Sequence, residues 1–218
     1  MENDLTLYSY WRSSASWRVR IALNLKKLNY KIETINLLKG QQLSPEYSAV
    51  NPNNCLPALK VNNHILLQSP AILEYLEEVY KSCQLLPDDP LDAAVVRGLM
   101  NVIVCDIHPV QNLRVLKKLV DKTNQESDKI EWASHFIKLG FTGLEELLKK
   151  TAGKYCFKNS VTFADVCLVP QVYNAIRFGV SMEEFPIISR VCKELEELEE
   201  FKQAHPNMQP DAPNAPNS

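Results

Sequence analysis

The chain has 218 residues, 45% of them hydrophobic and 23% charged, with a net charge of −2; this balance suits a globular protein of one large or two modest domains with a substantial core. Near-neutral charge without a Lys/Arg-rich run speaks against nucleic acid or an anionic membrane surface as a partner. The acidic opening Met1-Glu2-Asn3-Asp4 is unlike a secretory or transit peptide, and no apolar run approaches the roughly 20 residues of a spanning helix, so a cytoplasmic protein is expected.

Leu5-Thr6-Leu7-Tyr8-Ser9 alternates as a half-buried strand does, and Trp17, Ile21, Leu25 and Leu28 then recur at helical spacing. Between them, Ser13, Ser14 and Ser16 put three hydroxyls where strand hands over to helix. The first N–H groups of a helix lack partners and its dipole favours an anion, so a serine there either caps the helix or donates its O–H to a bound thiolate.

Lys31 to Asn36 alternates again, and two strands separated by a helix imply a parallel βαβ unit. After a short helix, Ala58 to Val61 and Ile65 to Leu67 flank Asn62-Asn63-His64, whose asparagines tolerate the positive φ of a tight hairpin turn. Gln68-Ser69-Pro70 opens a further helix, with Ser69 expected as N-cap and Ile72, Leu76, Val79 and Tyr80 as its buried stripe. The order β-α-β-α-β-β-α is a thioredoxin-like arrangement over residues 1–83, and the proline- and acid-rich stretch from Gln84 to Pro90 suits a linker.

Residues 91–218 show helical periodicity and no convincing strand. One long helix is expected from Asp92 to Val120 and another from Ile130 to Lys150. Thr162-Phe163-Ala164-Asp165 has the spacing of a capping box at the start of a third. The Pro- and Asn-rich end from His205 to Ser218 is expected to fray.

Six cysteines, Cys55, Cys83, Cys105, Cys156, Cys167 and Cys192, form no C-x-x-C pair and no metal-ligand spacing with His64, His108, His135 or His205, so no metal is expected and each reads as a small interior residue. Neither a P-loop nor a G-x-G-x-x-G offers a foothold for a nucleotide.

A thioredoxin-like α/β domain, a serine-rich first helix start and an all-α second domain together resemble the cytosolic glutathione transferases. Ser13-Ser14-Ala15-Ser16-Trp17-Arg18-Val19-Arg20, Asn51-Pro52 leading to Leu56-Pro57-Ala58-Leu59, Gln68-Ser69, Leu168-Val169-Pro170-Gln171-Val172, and His205-Pro206 followed by Gln209-Pro210-Asp211 resemble the zeta class, the maleylacetoacetate isomerases. The likeness runs from about Leu5 to Asp211.

That resemblance implies glutathione as cofactor, a homodimer, and cis–trans isomerisation of maleylacetoacetate to fumarylacetoacetate in tyrosine and phenylalanine breakdown, through reversible addition of the glutathione thiolate to the double bond. Ser13 matches the residue that stabilises the thiolate, with Ser14 in support. Glutathione contacts are implied for Ala15, Ser16, Trp17 and Arg18, for Gln42, for Leu56 beside a cis Pro57, and for Gln68 and Ser69. In the second domain they are implied for His108, Asn112, Leu113 and Arg114, although the class usually has Gln at position 108 and often Ser at 114. His108 equally suits a packing role. Arg12 and Arg177 are candidates for the substrate carboxylates, or else solvated arginines. Ala15 stands where many animal members carry Cys, which leaves the thiol chemistry to glutathione. A transferase acting on α-halo acids and a non-catalytic interaction module on the same fold are the competing readings.

Overall fold

A computed structural model describes residues 4–213 and Ala215. The described residues fall into two compact units, one drawn from Met1–Gln84 and Leu198–Ser218, the other Leu85–Glu197.

In the first unit β1 (Leu5–Ser9), α1 (Ser14–Leu25), β2 (Lys31–Thr34), α2 (Pro45–Val50), β3 (Ala58–Val61), β4 (His64–Leu67) and α3 (Ser69–Val79) follow the expected thioredoxin-like order. The sheet runs β2-β1-β3-β4, with β1 parallel to β2, in the register Leu7↔Ile32. β1 is antiparallel to β3 (Leu7↔Leu59), and β3 to β4 (Leu59↔Leu66). The hairpin turns at Asn62, φ 53°, as its asparagine allows. Leu7, Ile21, Leu59, Ile72 and Leu76 are fully buried. Helix α1 is buried along nearly its whole length, charged residues included: Arg18 and Arg20 are 1% and 0% exposed, and Lys26, its C-cap, 2%. Lys26 satisfies its ammonium with Glu77 Oε2 (2.8 Å) and the carbonyls of Tyr80 (2.8 Å) and Cys83 (2.7 Å).

The second unit contains α4 (Pro90–Asn101), a π-helical segment (Val102–Ile107), α5 (Leu113–Thr123), α6 (Asp128–Thr151), α7 (Phe163–Arg177) and α8 (Pro186–Glu196). α7 is apolar and buried on nearly every side, as the central helix of a bundle must be. Asp165 accepts from the N–H and hydroxyl of Thr162 and from Cys156 N–H, each at 2.8 Å, completing the expected capping box and tying it to the preceding loop. Gly140 on α6 lies against Ile107, where a Cβ would collide with that side chain.

The structure differs from the sequence expectations in several places. The helix expected over Asp92 to Val120 breaks: hydrogen bonding slips into the π register, Pro109 has no N–H to continue it, and Asn112 caps a new helix through Oδ1 to Arg114 N–H (3.2 Å). Ser69 is the first helical residue of α3 and Gln68 occupies the cap. In the stretch expected as a linker, Leu85 is fully buried and its carbonyl accepts from Phe163 N–H (3.0 Å). Past Glu197, α9 (Glu199–Ala204) packs along α1. Beyond it Pro206 and Gln209 are buried, so the described part of the end is anchored where fraying was expected. All six cysteines are free thiols, but only Cys156, Cys167 and Cys192 are interior; Cys105 is exposed.

Candidate active site

Two helix starts in the first unit carry the polar groups that the sequence singles out. At α1, Ser13 is the N-cap, with φ −69° and ψ 111°, and its Oγ accepts from Ser16 N–H at 3.3 Å. A hydroxyl that accepts in this way still has its own O–H to donate, so capping and holding a thiolate are compatible duties. Ser13 N–H is itself tied to Tyr10 C=O at 2.9 Å, closing the turn between β1 and α1. Ser14 and Ala15 lie just inside the helix and are mostly covered. Ser16 is fully buried, and its Oγ has no hydrogen-bond partner among the described residues; the part it plays is the backbone N–H given to Ser13.

Trp17 and Arg18, expected among the ligand contacts, are 2% and 1% exposed. Trp17 meets His205 edge-on, 5.2 Å between centroids. Arg18 Nη1 reaches the second helix start and donates to Ser69 Oγ at 3.2 Å. Both side chains are thus packed inside the first unit, each against a named neighbour.

At α3, Gln68 has φ 70° and ψ 120°, a conformation that L-residues rarely adopt and that typically costs about 1 kcal/mol or more. Such backbone strain clusters at ligand clamps. Ser69 follows at 4% exposure, its oxygen taken by Arg18 and its O–H left to donate. The helix start adds backbone N–H groups and a positive dipole end, the usual apparatus for a carboxylate.

Two loops complete this unit's set. Gln42 sits in a short 3-10 turn (Gln41–Leu43), and its Oε1 is buried without a hydrogen-bond partner among the described residues, so an additional donor is needed there. The Leu56–Pro57 bond is cis. Leu56 stands two residues before the first β1–β3 ladder pair, Tyr8↔Ala58. Its loop is fastened at Cys55 C=O, which accepts from Tyr47 Oη and Asn51 Nδ2, each at 2.7 Å. That explains the buried Asn51 of the Asn-Pro motif.

The remaining candidates divide between the units. Arg12 lies in the β1–α1 turn with its guanidinium 5.2 Å from the Trp11 ring centroid. In the second unit, Asn112 Nδ2 is 3.3 Å from His108 Nε2, while Leu113 and Arg114 begin α5. Arg177 ends α7 exposed, its guanidinium 5.0 Å from the Phe178 ring centroid.

Arg20 was assigned no role from the sequence, and Asp211 stood only inside a matching motif. Arg20 donates to Ser9 Oγ (3.1 Å), Trp11 C=O (3.0 Å) and Ala204 C=O (3.1 Å). Asp211 Oδ2 accepts from Trp11 N–H at 3.0 Å. Burial lowers the Arg20 guanidinium to about 10, against the pull of Tyr30 and Asp211, so it remains a cation at neutral pH. Both lie inside the family-like motifs at 13–20 and 209–211, and Arg20 is further marked as a second arginine two residues after Arg18 on one helix. Among the described residues no cluster of His, Cys, Asp or Glu could hold a metal, and no helix is long and apolar enough to cross a membrane.

The geometry offers hydroxyl donors at two helix starts, one suited to an anionic sulfur and one to a carboxylate. Residues 3–78 match the family model described as glutathione S-transferase, N-terminal domain, and residues 111–208 that of the C-terminal domain. A maleylacetoacetate isomerase from Dictyostelium discoideum is 50% identical over 213 residues, 97% of each chain. The Mus musculus maleylacetoacetate isomerase is 51% identical over 95% of this chain and 94% of its own. Among solved structures, a bacterial maleyl pyruvate isomerase of the zeta class superposes with a TM-score of 0.93 at 40% identity, covering 95% of this chain and 99% of that one. The Anaeromyxobacter dehalogenans maleylacetoacetate isomerase with glutathione in its active site gives a TM-score of 0.90 at 42% identity, over 97% and 99%.

Proposed function

This chain belongs to the glutathione S-transferase family, and we propose that within it the chain catalyses the glutathione-dependent cis–trans isomerisation of maleylacetoacetate to fumarylacetoacetate, a step of tyrosine and phenylalanine breakdown. The observation that carries this reading is the pair of helix starts at Ser13 and Ser69, joined through Arg18.

The residues fit glutathione. Ser69, the N–H groups that open α3 and the strained Gln68 suit the γ-glutamyl carboxylate; Leu56 offers its backbone to the cysteinyl part; Gln42 suits the glycyl end. In the second unit the family likeness alone supports glutathione contacts for His108, Asn112, Leu113 and Arg114, of which Asn112 Nδ2 stands 3.3 Å from His108 Nε2.

When bound, glutathione would supply a thiolate whose reversible addition turns an activated double bond into a rotatable single bond, and whose departure restores both the double bond and the thiolate. Ser13 holds the charge on sulfur: its O–H points a charge-assisted hydrogen bond at the anion while Ser16 N–H keeps its oxygen in place. One such bond contributes about 1.5–3 kcal/mol, enough to lower a thiol from about 8.5 by one or two pKa units. Ser14 supports the same helix start. Ala15 adds no thiol. Arg12 and Arg177 bind the substrate's carboxylates and the charge that develops next to them.

The family likeness also supports a cytoplasmic location and a homodimer, for which light scattering should return the mass of two chains. The deciding assay follows maleylacetoacetate or maleylacetone with purified protein. Turnover should appear only when glutathione is added; equal turnover without it would overturn the reading.

A further inference from the structure

The turn that presents Ser13 is held by groups from the far end of the chain. The peptide between Tyr10 and Trp11 gives its N–H to Asp211 Oδ2 (3.0 Å), and the C=O of that same peptide accepts the Ser13 N–H (2.9 Å). A carboxylate on one end of a peptide polarises it and strengthens the bond accepted at the other end. The next peptide is also fixed, because Trp11 C=O accepts from Arg20 Nη2 (3.0 Å). Arg20 is fully buried and gives two further N–H groups to Ser9 Oγ and Ala204 C=O, which ties the end of β1 to the end of α9.

The segment bearing Asp211 is itself fastened. Gln209, 4% exposed, donates from Nε2 to the carbonyls of Gln203 and His205, each at 3.0 Å. His205 Nδ1 accepts from Asn207 N–H (3.2 Å), and its ring closes on Trp17. A carboxylate reaching back 200 residues to one backbone N–H, opposite a buried arginine, is more than a surface tail needs.

We propose that Asp211 is a positioning residue for Ser13. Through the Tyr10–Trp11 peptide, braced by Arg20, it sets where the Ser13 hydroxyl stands and hence how far that hydroxyl stabilises the glutathione thiolate. The proposal rests on the reading of Ser13 given above.

The test titrates glutathione on the full-length protein by the ultraviolet absorbance of its thiolate, with no isomerase substrate present, for wild type, Asp211→Asn and Asp211→Ala. Asn keeps an acceptor oxygen without the charge; Ala keeps neither. The titration midpoint should rise in the order wild type, Asn, Ala, with Ala shifted by about 0.5–1 unit, roughly a three- to tenfold smaller thiolate-to-thiol ratio at a given pH. Measured at a pH below the midpoint, where bound glutathione is still the thiol, its dissociation constant should stay within about twofold, since the carboxylate acts through Ser13 on the thiolate alone. Coincident midpoints would overturn the proposal whatever the loss of melting temperature, because a fastening alone lowers stability without moving the thiolate. If Asp211→Ala does not fold, the Asn variant decides alone: a raised midpoint supports the proposal and an unchanged one overturns it. Wild-type protein that bound no glutathione would remove the underlying reading and this proposal with it, whereas a wild-type thiolate signal with unmoved variants removes the proposal only.

Discussion

Arg18 on α1 donates to the Ser69 hydroxyl oxygen across 3.2 Å, so the second turn of one helix holds the first residue of another. Arg18 is buried and Ser69 nearly so. The bond leaves Ser69 acting as a donor, which is the role a carboxylate requires.

Ser69→Ala should raise the KM for glutathione about tenfold or more, the worth of one hydrogen bond to a charged group. At saturating glutathione kcat should stay within about twofold. Arg18→Met should raise the same KM through Ser69, and the double variant should cost less than the sum of the singles. Additive effects in steady-state kinetics would show that the two residues act separately.

Capping and catalysis at Ser13 can be separated by choice of substitution. Ser13→Ala removes both the cap and the O–H, with a stability loss of about 1 kcal/mol, whereas Ser13→Gly loses only a few tenths because glycine caps nearly as well. Both should lose roughly ten- to a hundredfold in kcat/KM, the cost of one charge-assisted donor. A Gly variant with wild-type rate would leave Ser13 as a cap alone.

Lys26 and Glu77 form a desolvated pair at 2.8 Å, with side chains 0% and 11% exposed. Lys26→Met strands the Glu77 carboxylate and should destabilise the protein by about 3–5 kcal/mol. Adding Glu77→Gln should recover part of that loss, because the unpaired charge is then gone. Denaturant midpoints for both variants test this; a double variant no more stable than Lys26→Met would place the cost in lost packing.

His205 is held below its ordinary value of 6.5 by burial and by the charge of Arg20. Between its folded value and 6.5 the unfolded chain binds more protons than the native one, so its contribution to stability is present above 6.5 and is lost as pH falls below it. His205→Asn keeps an acceptor for Asn207 N–H but does not titrate. The denaturant midpoint should therefore drop less between pH 7.5 and about 5.5 in the variant than in wild type. Parallel profiles would clear His205 of any part.

The order of elements in the first unit was legible because each carries a local signal: alternation at Leu5–Ser9, helical spacing after Ser13, paired asparagines at the hairpin. The break before α5 was not. Apolar residues Val102, Ile103, Val104 and Ile107 continue an acceptable helical face while the backbone bonds slip register, and a hydrophobic pattern reports the face alone. The anchoring of the end after His205 was not legible either, for a related reason. Proline and asparagine lower helical propensity, yet Pro206 and Gln209 are buried within the first unit, where tertiary packing outweighs composition.

By itself the sequence determined the strand-to-helix junctions and the serines that stand at them, because capping chemistry and periodicity act over a few residues. Only the tertiary structure decided what each buried charge holds. Arg18 meets Ser69 51 residues away, Arg20 meets Ala204 at 184, and Asp211 meets Trp11 at 200. A buried polar group must find a partner, but which one depends on where the chain returns in space, and no spacing along the sequence encodes that.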